Sequence, residues 1–232
     1  MISSLRRNEL KSFFVGNLLG DGGITQYTKS TGKAYYLEGH SKKQEQYLKW
    51  KLDVIAKSMN VKVVTNDVTM TVLGKQYQVV NGRTNSSKYF GKLRKLFYVE
   101  DRGGRKIVPI EFVRRHFNEM SLAILMLDDG YIQFNKKAKG NNPTAAEIAI
   151  CSFTKSEQEE LVKIIDEKTG IKFNLRPLRG NKYFRLRVTG KAVTQKLIEI
   201  MRPYVTDDTR YKIDYSLRKT RNVKEIADTQ VV

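Results

Sequence analysis

Along this chain, apolar positions follow two patterns. The first is a solid run that ends on acid: Leu122 to Leu127 are apolar without a break, and the run stops at Asp128-Asp129-Gly130. The same design occurs earlier in "FVGNLLGDGGI", residues 14–24. A run of this kind belongs in a core, where an unpaired carboxylate is so costly that it tends to change its protonation state. The second pattern is alternation. In "KYFRLRVTG", Phe184, Leu186 and Val188 fall on one face of a strand, while Tyr183, Arg185 and Arg187 fall on the other. "AAEIAICSF" alternates in the same way and reads as a strand, with Cys151 as a small buried hydrophobe. Between them, "TKSEQEELVKIIDEKTG" predicts a helix over 154–170, with Thr154 as N-cap, Glu157 completing a capping box and Gly170 as the stop.

Earlier segments repeat this order. A first helix leads to "GITQYT" and "AYYLEGH", then to the helix "KKQEQYLKWKLDVIAKSM", strands near 61–65 and 76–83, and the basic helix "SSKYFGKLRKLF". Trp50 and its apolar neighbours read as core. Lys42, Lys43, Lys49 and Lys51 read as a solvated helix side. Asp21 and Asp129 lie 108 residues apart, and a second echo, "YVEDRGGRKI" against "YVTDDTRYKI", has an offset of 106. Two offsets that agree so closely indicate a duplicated unit, expected over 1–116 and 117–232, each α-β-β-α-β-β-α. The closing "NVKEIADTQVV" reads as a loose polar tail.

Charge narrows the partner. The chain has 43 Lys+Arg against 24 Asp+Glu, a formal charge of +19. That excess predicts an extended polyanion, with nucleic acid ahead of an anionic membrane surface. No run of 18 apolar residues occurs and the start lacks a secretory apolar segment, so the expectation is a soluble intracellular protein. One cysteine excludes an internal disulfide. The two histidines, His40 and His116, offer no zinc set and read as ordinary structural or surface residues.

A carboxylate at the last turn of a helix meets the negative end of the dipole and unsatisfied carbonyls. Asp21 and Asp129 are therefore candidate ligands for a hard cation, Mg²⁺ or Mn²⁺, rather than zinc. If a pseudo-twofold axis pairs the two helices, both acids meet, with Gly16, Gly20 and Ala123 allowing close approach. Alone, "GDG" or "DDG" is an ordinary turn; the duplication gives both their weight.

The windows "FVGNLLGDG" and "LAILMLDDG" resemble the two motifs of a single-chain LAGLIDADG homing endonuclease, and the likeness extends over nearly the whole chain. It implies an α+β fold of two αββαββα repeats, with motif helices at the interface and curved antiparallel sheets forming a DNA-binding saddle. It implies metal binding by Asp21 and Asp129, with Gly20 and Asp128 beside them as oxygen donors, and catalytic lysines at Lys106 and Lys212. Ile124 in place of Gly16, and Asp128 in place of Gly20, imply that the halves neither pack nor cut identically. The resemblance also implies a monomer that makes double-strand breaks at a long DNA site. Candidate base-reading residues on outward strand positions are Gln26, Thr28, Arg83, Tyr131, Gln133, Asn135, Tyr183, Arg185 and Arg187. Two rivals share the scaffold: a maturase acting on intron RNA, and a DNA-binding regulator, which would be expected to have lost one of the acids.

Overall fold

The computed structural model describes residues 4–26, 31–99, 104–135, 142–178 and 183–218. Of the candidates above, Thr28 lies outside them, as does the whole of the polar tail. The first helix, α1 (Arg7–Leu19), is buried from Ser12 onward, and its later counterpart, α5 (Glu119–Asp129), from Met120 to Leu127. A helix that is apolar all round has to be covered all round, and each of these two covers the other. A Cβ at Gly16 would lie 2.7 Å from the Ser121 carbonyl oxygen and 2.9 Å from Ile124 Cβ, and Ser121 Oγ donates to the Ser12 carbonyl at 2.7 Å. Glycine at 16 is therefore what lets the backbones touch.

Each of these helices feeds an open four-stranded antiparallel sheet. The first has the order β1 (Gly23–Thr25), β2 (Tyr35–Ser41), β4 (Lys75–Thr84), β3 (Val63–Val72). The second has β7 (Gly130–Phe134), β8 (Pro143–Ile148), β10 (Tyr183–Thr189), β9 (Asn174–Leu178). The order is the same in both. Two fifteen-residue helices, α2 (Glu45–Met59) and α6 (Lys155–Thr169), follow the second strand of each sheet. The predicted capping box of α6 forms, with Thr154 accepting from the Glu157 backbone N–H, and Gly170 closes it at φ 64°. Helices α3 (Lys88–Phe97) and α7 (Lys191–Met201) follow each sheet's last strand, and β5 (Tyr98–Val99) pairs with β6 (Arg105–Lys106). A short helix, α4 (Ile110–His116), precedes α5 and has no counterpart in the predicted order.

Three local expectations need correction. Cys151 is not in a strand: β8 ends at Ile148, and Cys151 sits half-buried in the turn beyond it, its Sγ 3.4 Å from the Phe184 carbonyl. The strands expected near 61–65 and 76–83 form a ten-residue hairpin pair that turns at Leu73-Gly74, both with positive φ. Lys51 is not solvated. It is 0% exposed, on the stripe of α2 that carries Tyr47, Leu48 and Ile55 inward.

Candidate active site

Gly20 caps α1, so Asp21 stands in the turn just beyond it, its side chain 38% exposed. Asp128 and Asp129 are the last two residues of α5. The three acids are drawn together at the paired helix ends. The Asp128 carboxylate accepts from the Asp21 backbone N–H at 3.2 Å, in the space left by Gly20, where any Cβ would collide with it. Burial, then Asp21, then Asp128 push Asp129 up to about 7, and the two nearby lysines offset only part of that.

Those lysines are Lys106 and Lys212, and each holds the C-terminal carbonyls of one motif helix. Lys106 Nζ donates to Gly20 O at 2.9 Å and Gly22 O at 2.8 Å. Lys212 Nζ donates to the carbonyls of Leu127, Asp128 (3.0 Å) and Gly130 (3.5 Å). Helix C-termini leave such carbonyls unpaired, and a cation is the favoured partner there. Burial lowers both ammonium pKa values against the pull of the acids. The carbonyls of Gly20 and Asp128, expected as metal donors, are thus bonded to lysine, and a metal ion arriving there competes with the ammonium.

Beside the acids lies a network that the sequence reading did not find. Lys51 Nζ bridges Glu38 Oε1 at 2.5 Å and Asp128 Oδ1 at 2.6 Å, all three side chains being 0% exposed. Tyr47 donates to the same Asp128 oxygen at 2.9 Å, and Tyr36 donates to Glu38. His40 Nε2 lies 2.7 Å from Glu38 Oε1 and its Nδ1 3.8 Å from Asp21 Oδ2, so this buried histidine links the network to the site. Burial acts to raise the Glu38 pKa, but Lys51 and His40 hold it down at about 2. Burial raises Asp128, with Lys51 opposing.

Asp21, Glu38, His40 and Asp128 put ligand atoms within 4.8 Å of one another. Two of them already share an internal cation, Lys51, so the group as a whole is a poor metal site. Asp21 and Asp129 fit better: they supply oxygen alone, and mutual repulsion that a hard cation would relieve.

The base-reading candidates are spread over the two sheets. Arg83 is exposed on β4; Tyr131 and Gln133 are exposed on β7, and Asn135 just beyond it; Tyr183, Arg185 and Arg187 stand on the outward side of β10. Gln26 is half-buried at the end of β1. Arg187 joins Gln133 at 3.4 Å, and Arg218 stacks 4.9 Å above the Tyr131 ring.

Two packed helices, each leading to an acid at its C-terminal end and then into an antiparallel sheet of the same strand order, frame the site. Residues 11–195 match the model of the LAGLIDADG DNA endonuclease family, and the chain belongs to that family. The fold is similar to that of the homing endonuclease I-WcaI bound to its DNA recognition sequence, at a TM-score of 0.74 and 20% identity over 91% of this chain and 88% of that one. Protein RecA of Mycolicibacterium flavescens is 24% identical over 207 residues, and Protein RecA of Mycobacterium shimoidei 24% over 205; each match takes in 86% of this chain. The chain spans 45% of the length of those curated relatives. Among the described residues, no helix is long and apolar enough to cross a membrane.

Proposed function

We propose that the chain is a metal-dependent, site-specific double-strand DNA endonuclease, with residues 1–116 and 117–232 as pseudo-symmetric halves that each serve one strand. The observation that carries this reading is the crowding of Asp21, Asp128 and Asp129 at two helix C-termini, which lifts Asp129 to about 7. Such a site favours a divalent cation, and its oxygen donors suit Mg²⁺ or Mn²⁺. When bound, the cation supplies Lewis acidity toward a phosphate oxygen and lowers the pKa of a bound water. Asp21 and Asp129 hold it. Lys106 and Lys212, anchored to the adjoining carbonyls, offset charge that develops on the phosphate. The exposed faces of the sheets follow the duplex, and the +19 charge supplies affinity for its backbone. Because both motif helices come from one chain, a monomer suffices. Double-stranded DNA as partner places the protein where DNA is, inside the cell.

The test is Asp129→Asn. It should abolish Mg²⁺-dependent linearisation of plasmids carrying sites selected from a duplex library, while DNA affinity stays within about 1–2 kcal/mol of wild type, because losing the carboxylate also removes repulsion from phosphate. Wild-type cutting by this variant would overturn the assignment.

A further inference from the structure

The two sheets share a frame but present opposite chemistry on their exposed faces. Strand register aligns them row by row. In the row that follows the acidic helix ends, the first sheet runs Gly23, Leu37, Arg83, Val64, and the second runs Tyr131, Glu147, Arg187, Asn174. An arginine is common to both rows, but its surroundings differ. Arg83 stands between Leu37 and Val64, which are 37% and 52% exposed. Arg187 is bonded to Glu147, which also takes Arg176 at 2.8 Å and Arg185 at 3.4 Å.

The next outward pair sharpens the contrast. In the first sheet it is Asn81 beside Asn66; at the same register place in the second it is Arg185 beside Arg176. Beyond it the first sheet continues with Val79 beside Val68 and Tyr77 beside Met70. An amide pair thus stands where the second sheet has an arginine pair, and Leu37 stands where it has Glu147; one pair further out, Val79 beside Val68 corresponds to Tyr183 beside Leu178 at the same place in the second sheet.

In the major groove these side chains prefer different bases. Arginine bonds guanine O6 and N7, a carboxylate accepts from the cytosine amino group, asparagine pairs with adenine N6 and N7, and apolar groups pack on the thymine methyl. We infer that the recognised DNA is lopsided in composition, with an A·T-rich flank under the first sheet and a G·C-rich flank under the second. This rests on the reading above that the exposed sheet faces hold DNA. Glu147 has a part in it as a positioning residue: one carboxylate shared by three guanidiniums fixes where they point before DNA arrives.

The alternative role for the arginines is contact with phosphate, which fixes position and carries no sequence information. Selection separates the two. The full chain, in metal-free buffer so that nothing is cut, is used to enrich bound duplexes from a fully randomised library, and the pool is sequenced. The expected consensus has one A·T-rich and one G·C-rich flank. The double variant Arg176→Ala/Arg185→Ala should relax only the G·C-rich flank, and Asn66→Ala/Asn81→Ala only the other. Each lost bidentate contact should reduce discrimination by about 5- to 150-fold. All four side chains lie on outward strand positions, and circular dichroism checks that the variants fold. Flanks of equal composition overturn the inference. So does an arginine variant that weakens all sequences alike and flattens the salt dependence, since that is the behaviour of phosphate contacts. A pool with no enriched sequence, together with a flat salt titration, overturns the DNA-reading proposal itself and the inference with it.

Discussion

The inner faces of the two sheets differ as much as the outer ones. Register makes Tyr36 the counterpart of Ala146, Glu38 of Ile148 and, two residues on, His40 of Ile150; Lys51 and Leu161 are each the seventh residue of their helix. One half has a linked set of ionisable groups where the other has plain aliphatic core. The same strand order and helix positions therefore tolerate either interior. What requires the polar one is Asp128, which reaches in from the opposite motif helix at the place where its counterpart is Gly20. That carboxylate needs room, which Gly20 leaves, and a counter-ion, which is Lys51. A buried ion pair gains little over an apolar substitute, but removing one member is expensive because the other remains charged and dry.

The largest effect expected from this contrast is on stability. Lys51→Met strands Glu38 and Asp128 and should cost about 3–5 kcal/mol in urea unfolding, whereas Leu161→Met at the mirror position should cost under about 1.5 kcal/mol. Replacing the set together, Glu38→Ile, His40→Ile, Lys51→Leu and Asp128→Gly, makes the first interior resemble the second and should recover most of the loss. A quadruple variant as unstable as Lys51→Met would break the comparison.

A smaller effect is expected at the helix crossing. The three atoms nearest to a Cβ at Gly20 all belong to the Asp128 side chain, at 2.4–3.0 Å. Gly20→Ala should cost about 1–3 kcal/mol in the wild type and close to nothing when Asp128 is glycine. A double-mutant cycle reads this coupling directly. A coupling near zero would mean that Gly20 is there for some other reason.

The smallest effect concerns pH. The Asp129 pKa is raised to about 7, chiefly by burial and by Asp21. A raised acid favours the fold while protonated, so its contribution is present below the unfolded value near 4 and is lost as pH rises through about 7. Without metal, the wild type should lose about 1 kcal/mol relative to Asp129→Asn between pH 6 and 7.5. Cation binding runs the other way. Calorimetry should show Mg²⁺ affinity falling below pH 7 with proton release on binding. Parallel stability profiles for the two proteins would remove Asp129 from the shared cluster of acids.

Much of this was legible in sequence because it is local. Apolar runs gave α1 and α5, the Thr154 and Glu157 pair gave the start of α6, and the matched offsets pointed to the paired acids. The polar interior is less legible, because lysine and histidine by type belong to a surface and only their positions point inward. Lys51 lies four residues from both Tyr47 and Ile55, the spacing of a buried stripe. Glu38 and His40 share strand parity with buried Tyr36. The second carboxylate on Lys51, that of Asp128, lies 77 residues away in sequence, and no local pattern can supply that. The extent of the long hairpin was hidden for a different reason: past Val79 toward its tip, burial no longer alternates, so only Leu73-Gly74 marks its end.

The contact between Lys51 and Asp128 also bears on how the chain assembles. Ribosomal synthesis delivers the first sheet, α2 and Lys51 well before Asp128, and domains generally fold as units, the N-terminal one first. Here the earlier-made part holds a buried lysine whose second carboxylate has not yet been translated. It can collapse around the Lys51–Glu38 pair, but Lys51 and Tyr47 lack their shared acceptor, Asp128, until α5 emerges and docks against α1. The region made first is the one finished last, and dividing the gene between the motifs would leave its first product with buried donors waiting for an acceptor carried by the second.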